Sequence, residues 1–299
     1  MGTPGVPLTW RVLVPTQNRE VSLLLDRAFE LSSPKSYLDD FPVWDPKLMP
    51  AENRHQIGGF HGNRIVSTAS IRFAKYRFQD GTEKTLGLIG AVATHPDFGE
   101  KGYASEAIEL VIHEGERRGV DAYVLWGSES PIYKRRLFAF AGKQIQVPLR
   151  ALTLPKSTIE GFEFRSGWDV AIAEHLLARK AGILYANSDL LWLSRHKNVE
   201  WRTLWLDGKC AAYAARNRGI DLPNIIHELD GEPAACIALL RLIQARHGYL
   251  EWIAHPDRIA GWGLGVRDGI PVEPLAQFRL RTIEAGRVDS MWFSGMDSC

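Results

Sequence analysis

The sequence predicts an α/β (α+β) protein made of two related units, each with a mixed, mostly antiparallel sheet flanked by helices. Apolar stretches flank the turns at 61–63 and 79–82, which predicts a meander of antiparallel strands. The strand TLGLIGAVAT precedes an amphipathic helix over 103–118, and the apolar strand DAYVLWG follows at 121–127. This order is typical of a right-handed crossover between two parallel strands.

The other elements of the first half follow from the same kinds of pattern. They are a short strand over 11–15, a helix over 18–31, a proline-rich loop over 32–50 and a helix that begins at Ser130-Pro131 and runs through PIYKRRLFAF.

The second half repeats this order faintly, which predicts a degenerate copy of the first unit. We expect a helix over 169–196, a hairpin that turns at Asp207-Gly208, and a helix followed by a strand in DGEPAACIALLRLIQARHGYLEWIAHP. The apolar ending SMWFSGMDSC is interpreted as a strand of the second sheet. The expected units are residues 1–155 and 156–299, with a boundary near Pro155–Gly161.

The net charge and the cysteine content limit the kinds of partner and of cellular compartment that we expect for the chain. The chain has 299 residues, with 36 basic and 35 acidic side chains, so no global field draws it to nucleic acid or to a charged membrane. Cys210, Cys236 and Cys299 are too few and too far apart for a disulfide framework or a metal site, which favours a reducing compartment. With no signal peptide and no spanning segment evident, we expect a cytoplasmic protein without a metal.

The most informative stretch is GAVATHPDFGEKGYASEAIEL, residues 90–110, in which a strand ends at a loop with two glycines and a helix follows. Backbone N–H groups in such a loop, together with a helix N-terminus, attract phosphate. The predicted donors are Phe98, Gly99, Glu100, Lys101, Gly102, Tyr103 and Ala104. The stretch matches neither the P-loop nor the dinucleotide-binding pattern, and the alternative is that the glycines only make a tight turn.

These residues resemble the GCN5-related N-acetyltransferase (GNAT) family, whose motif [R/Q]-x-x-G-x-[G/A] holds the pyrophosphate of acyl-CoA. The chain reads Gly99-Glu100-Lys101-Gly102-Tyr103-Ala104, and Gly99 departs from the Arg or Gln of the family. The similarity extends over about residues 8–150. A first unit with this motif and a second unit without it resemble tandem acetyltransferases of the enhanced-intracellular-survival type.

The resemblance implies an acetyl-CoA-dependent N-acetyltransferase that moves the acetyl group directly to a primary amine in a ternary complex. The strand with Ala91, Val92 and Ala93 would splay from the strand at 121–127, and the pantetheine arm would lie in the gap. A backbone N–H near Val92 or Ala93 would face the thioester oxygen, and Tyr133 would be the general acid. The alternative for Tyr133 is a core residue of its helix.

Several points stay open at this stage. The amine acceptor could be a small molecule or a peptide N-terminus, and the sequence does not specify the oligomeric state. Glu129, His95 or an ordered water could act as the base. Asp39, Asp40 and Asp45 could hold a cation, or could belong to a solvated loop whose aromatic residues are fixed to the core. Two alternative functions are a non-catalytic acyl-CoA sensor, since Gly99 is atypical, and a scaffold that binds no CoA.

Overall fold

The chain forms two large sheets flanked by helices in a computed structural model that describes residues 7–48, 50–155 and 160–298. The helices are α1 Asn18–Ala28, α2 Tyr37–Asp40, α3 Tyr103–Arg117, α4 Pro131–Lys134, α5 Val170–Leu177, α6 Leu190–Leu193, α7 Pro233–Arg246, α8 Pro256–Gly261 and α9 Ala285–Val288. Within the described ranges, no helix is both long and apolar enough to cross a membrane.

The strands have eight residues or fewer, apart from two in the first half that have 14 and 12 residues. They are β1 Thr9–Val12, β2 Arg54–His61, β3 Arg64–Arg77, β4 Glu83–Thr94, β5 Ala122–Leu125, β6 Ala139–Ala141, β7 Gln144–Pro148, β8 Leu152–Thr153, β9 Glu163–Ser166, β10 Gly182–Leu184, β11 Glu200–Leu206, β12 Lys209–Arg216, β13 Ile225–Gly231, β14 Glu251–Ala254, β15 Gly265–Val266, β16 Val272–Glu273 and β17 Ala276–Leu280.

Each sheet contains one parallel pair made by a strand–helix–strand crossover, as the sequence predicts. The first sheet has the order β1-β2-β3-β4-β5-β17-β6, and β4 and β5 are its parallel neighbours, joined through α3. The second sheet has the order β16-β7-β14-β13-β12-β11-β9, with β13 and β14 parallel and joined through α7. The repeated order of elements in the two halves is therefore confirmed.

The two sheets also exchange strands across the middle of the chain. β17 pairs antiparallel with β5, and β10 pairs with the end of β3, so two strands of the second half lie in the first sheet. In return, β7 of the first half pairs with β14 in the second sheet. Part of the expected boundary, residues 156–159, lies outside the described residues. The exchange makes each sheet depend on the other half of the chain.

Two predicted helices are shorter than expected. The helix that begins at Pro131 ends at Lys134, because Leu137 adopts a left-handed φ of 62° and the chain then enters β6 beside β17. The predicted helix over 169–196 is divided by β10, whose first residue, Gly182, has a φ of 88°. Pairing with a strand from the other half overrides the local helical pattern in both places.

The prediction that the ending is a strand of the second sheet is wrong. Described residues 290–298 form irregular coil and turns, and the apolar side chains of Met291, Phe293 and Met296 belong to the core cluster beneath the first sheet. That cluster also takes Trp192 and Trp201 from the second half. Residues 290–298 are therefore rich in apolar side chains because these are buried between the two halves of the chain.

A buried ion-pair network fixes this contact. Arg72 on β3 is 3% exposed, and its guanidinium lies 3.0 Å from a carboxylate oxygen of Asp297 and 3.9 Å from one of Asp189. The Tyr185 hydroxyl donates to Asp297 at 2.8 Å, and the ring of Trp192 lies 4.8 Å from the guanidinium carbon. One arginine of the first sheet thus joins three segments of the second half.

We expect Arg72→Met to lower the free energy of unfolding by about 3–5 kcal/mol, because it removes the cation that compensates two buried carboxylates. Arg77→Met is the matched control on the same strand, since Arg77 pairs with Glu83 at the surface and such a pair contributes about 0–1 kcal/mol. Urea unfolding followed by tryptophan fluorescence measures both losses. Equal losses would contradict a special role for Arg72.

Candidate active site

A β-bulge interrupts β4 near its end. Thr68 of β3 is opposite Ala93, and Ser70 is opposite Gly90, so β4 has one more residue than β3 over this interval. Ala91 accommodates the extra residue with a left-handed φ of 49°. Ala91 and Val92 consequently have no register partner in β3.

β4 and β5 separate at the same place, as the resemblance implies. Their parallel pairing runs from Leu86 opposite Ala122 to Leu88 opposite Val124 and goes no further, although β4 continues to Thr94. On the far side of the gap, the Gln277 amide of β17 donates to the carbonyls of Gly127 at 2.9 Å and Ser128 at 3.2 Å. The chain after β5 is therefore held toward β17 and away from β4.

A cavity of about 290 Å³ lies at this gap and has walls from three parts of the chain. It is lined by Phe29, Tyr37, Phe41, Ile89, Gly90, Ala91, Val92, Leu125, Trp126, Gly127, Ser128, Tyr133, Ile220 and Asp221. Tyr133 and the bulge residues, predicted from sequence as parts of one site, thus line one cavity. Ala93 lies just beyond the bulge and is not among the lining residues.

Tyr133 projects from the short helix α4. Ser130 caps this helix by accepting the N–H of Ile132 at 3.3 Å, and Pro131 occupies its first position. A Cβ atom on Gly127 would lie 3.7 Å from the tyrosine ring, so the ring borders the end of β5 closely. Burial raises the pKa of Tyr133, and its hydroxyl has no hydrogen-bond partner among the described residues. This hydroxyl can donate a proton into the cavity.

The loop after β4 begins with a turn that uses two of its own N–H groups. The N–H of Phe98 donates to the His95 carbonyl at 2.8 Å, and that of Gly99 to the Pro96 carbonyl at 3.0 Å. The His95 ring accepts the N–H of Asp97 at 3.2 Å and fixes the start of the turn. The row of available donors that the sequence predicts from Phe98 onward therefore begins at Glu100.

The following residues open the loop toward solvent. Glu100 and Gly102 have left-handed φ values of 59° and 84°, and a Cβ added to Gly102 would meet no atom within 4 Å. Gly102 precedes α3, and no side chain caps this helix. Among the described residues, the N–H groups of Glu100, Lys101, Gly102 and Ala104 meet no carbonyl acceptor. Such donors at the start of a 15-residue helix suit a phosphate group.

Neither side chain considered as a base lines the cavity. His95 is buried, and burial together with the nearby Arg64 guanidinium lowers its pKa, so it is neutral at neutral pH and serves the loop. Glu129 is largely exposed and lies 3.8 Å from Lys134. Asp221 does line the cavity, and sequence reasoning missed it because it lies in the ordinary polar turn of the second half that follows β12.

The acidic loop at 39–45 joins the two halves. Asp40 is buried and accepts from the Asn198 side chain at 2.6 Å and from the N–H of Ile220 at 2.9 Å, while Asp39 pairs with Lys197 at 2.7 Å. Burial raises the pKa of Asp40. These contacts place Ile220, and Asp221 after it, at the cavity. In the part of the chain that the structure describes, no cluster of His, Cys, Asp or Glu could hold a metal ion.

The corresponding groove of the second sheet is closed. β13 and β14 pair only at Ile225–Glu251 and Ile226–Trp252, but the Arg258 side chain donates to the Leu229 carbonyl. The N–H of Glu232 donates to the Ala211 carbonyl at 2.9 Å, and α7 starts at the next residue. Among the described residues of the second unit, Arg258 thus occupies part of the strand edge, and the turn before α7 bonds its own N–H group within the sheet.

A larger cavity, of about 810 Å³, lies between α1 and the β2–β3 turn. Leu23, Arg27, His61 and Arg64 are among its lining residues. It touches neither the bulge nor Tyr133. The strand gap is therefore the candidate active site.

The geometry described so far suits acyl transfer, and the comparisons with known proteins agree with this chemistry. Residues 11–141 match a family model described as an acetyltransferase (GNAT) domain. This part of the chain is similar to the GNAT acetyltransferase family, and the protein is an acyltransferase. No curated protein matches the sequence.

Solved structures with the same fold cover most of the chain. A GCN5-related N-acetyltransferase from Kribbella flavida has a TM-score of 0.65 at 16% identity, over 94% of this chain and 73% of its own. One from Anabaena variabilis has a TM-score of 0.65 at 12% identity, over 91% and 72%. Eis1 from Mycobacterium abscessus has a TM-score of 0.60 at 14% identity, over 91% and 73%. These likenesses confirm the fold of both halves, including its similarity to the enhanced-intracellular-survival type.

Proposed function

We propose that the protein is an N-acetyltransferase that moves the acetyl group of acetyl-CoA directly to a primary amine in a ternary complex. The observation that carries this proposal is the gap between β4 and β5, which brings the unpaired bulge and Tyr133 to one cavity. The catalytic unit is residues 1–155, and residues 156–299 are a degenerate unit, apart from the strands that they exchange. Cys210 and Cys236 are both free thiols, which supports a cytoplasmic location.

Two parts of the site would bind acetyl-CoA, namely the loop before α3 and the unpaired backbone of β4. The N–H groups of Glu100 to Gly102 and of Ala104 would hold the pyrophosphate, and the open space beside Gly102 would admit it. The exposed backbone of β4 would pair with the pantetheine arm as an added strand does, because Ala91 and Val92 lack partners in β3. We place Ala93 and the other residues of the loop in the wall of this binding site.

The proposed reaction forms a bond between the amine nitrogen and the acetyl carbon and breaks the bond between that carbon and sulfur. Acetyl-CoA supplies the activated acetyl group. The N–H of Val92 would donate to the carbonyl oxygen as negative charge develops there. Tyr133 would give its proton to the departing sulfur, and water would take the proton of the amine. No cysteine lines the cavity within the described residues, which supports direct transfer.

The phosphate loop is tested by Gly102→Glu, which we expect to abolish acetyl-CoA binding because it adds bulk and negative charge against the pyrophosphate. Gly81→Glu is the matched control, since Gly81 has a φ of 83° and a Cβ there would also meet no atom within 4 Å. Calorimetric titration with acetyl-CoA compares both variants with the parent. If Gly102→Glu binds as the parent does, the pyrophosphate lies elsewhere.

The general acid is tested by Tyr133→Phe, which should lower turnover about 10²- to 10⁴-fold, as expected for a positioned acid. Affinity for acetyl-CoA should remain near that of the parent. Because burial raises the pKa of Tyr133, we expect no alkaline loss of turnover from this group below the pH of about 10 at which an ordinary tyrosine ionises. An unchanged turnover number would assign Tyr133 to packing alone.

The number of acetyl-CoA molecules bound per chain tests whether the groove of the second sheet binds acetyl-CoA. We expect one acetyl-CoA per chain, because Arg258 occupies the edge of β13 and Pro233 has no N–H to offer an anion. Calorimetry measures the ratio, and saturation at two equivalents would contradict a degenerate second unit.

Kinetics with a set of amines separates the proposed enzyme from the two alternatives. Transfer to an amine with release of CoA supports the proposal. Binding of acetyl-CoA without transfer to any amine would favour the sensor, and the absence of binding would favour the scaffold.

A further inference from the structure

One wall of the strand-gap cavity is a stack of three aromatic rings. The ring centroids of Phe29 and Tyr37 are 4.6 Å apart with an interplanar angle of 22°, and those of Tyr37 and Phe41 are 4.5 Å apart at 27°. Phe29 is 42% exposed, whereas Tyr37 and Phe41 are buried. The stack therefore extends from the surface into the interior, and the parts of its rings not covered by one another add apolar surface to the cavity wall.

Arg218 of the second half lies at the inner end of this stack. Its guanidinium carbon is 4.6 Å from the centroid of the Phe41 ring, and the side chain is 1% exposed. It pairs with Asp221 through two contacts, Nε to Oδ1 at 3.0 Å and Nη2 to Oδ2 at 2.5 Å. Because a cation already lies over the innermost ring, a second cation would be repelled there.

The charge of the cavity wall is correspondingly small. Asp221 is the one carboxylate among the described lining residues, and Arg218 compensates it. Trp126, Ile220 and Leu125 add further apolar surface. An acceptor with several positive charges would leave water and gain a single carboxylate that is already paired, which is unfavourable.

The size of the cavity also restricts the size of the acetyl acceptor. Its volume is about 290 Å³, whereas sites for drug-sized ligands are typically about 300–1,000 Å³. The same space must also take the acetyl end of acetyl-CoA. A compact acceptor, or the compact end of a larger one, suits a space of this size.

We infer that the acetyl acceptor is a compact primary amine on a ring-bearing apolar body, an arylalkylamine, whose ring packs on the Phe29–Tyr37–Phe41 stack. This inference rests on the proposed function and specifies its substrate class. Ile220 and Asp221 close the cavity from the second half. Their position is fixed by Asp40, which accepts the N–H of Ile220, and by Arg218, which holds Asp221. The second half thus selects the acceptor without binding acetyl-CoA.

The test compares 2-phenylethylamine with spermidine and with kanamycin, in assays of CoA release from acetyl-CoA by the full-length protein. We expect kcat/KM for 2-phenylethylamine to exceed that for either polycation at least tenfold. Phe29→Ala should raise the KM for 2-phenylethylamine by roughly 3- to 10-fold, as expected for loss of one aromatic contact. The KM for acetyl-CoA should not change.

Phe140→Ala is the matched control, because Phe140 is 47% exposed on β6 and does not line the cavity. A preference for spermidine or kanamycin would overturn the inference and leave an amine acetyltransferase in place. Equal effects of Phe29→Ala and Phe140→Ala would overturn the role of the stack. Failure of the parent to bind acetyl-CoA in calorimetry would overturn the proposed function itself, and the inference with it.

Discussion

The early end of pairing between β4 and β5 is the constraint on which the site depends. Two parallel strands that are paired for three residues and then diverge leave backbone groups unpaired inside a sheet, and such groups must find water or a ligand. The bulge at Ala91 lies where β4 leaves β5, and the hydrogen bonds of Gln277 hold the chain after β5 toward β17. The unpaired edge is thus part of the fold and exists before any ligand arrives.

The strand exchange explains how this open gap remains stable. A β5 strand that leaves β4 after Val124 would be a weak sheet edge, but β17 pairs along its other side. The buried Arg72 network and the ending of the chain pack beneath the same sheet. Contacts from the second half therefore help to hold the gap open, so this unit has a structural role in the first unit's site.

Local patterns in the sequence predicted the elements that follow local rules. The crossovers, the hairpins and the order of the two units could be read from periodicity and turn residues. The exchanged strands could not, because β10 and β17 are short and their partners lie more than 100 residues away in the chain. At the site, the glycine loop and Tyr133 carried sequence signals. Phe29, Trp126 and Asp221 carried none, since an exposed ring or a turn carboxylate has many ordinary roles.

The second unit shows how the same fold can lose its site through few changes. β13 and β14 also diverge after two residue pairs, so the geometry that would admit a ligand persists. One arginine after β14 then satisfies the Leu229 carbonyl, and a helix that begins at Pro233 removes the donor loop. Because the chain itself supplies a partner for the Leu229 carbonyl and begins α7 with a proline, this groove offers fewer groups to a ligand than the first one does. The fold therefore accommodates both an unpaired strand edge, as in the first unit, and an edge contacted by the chain itself, as in the second unit. A ligand site can exist only where the edge remains unpaired.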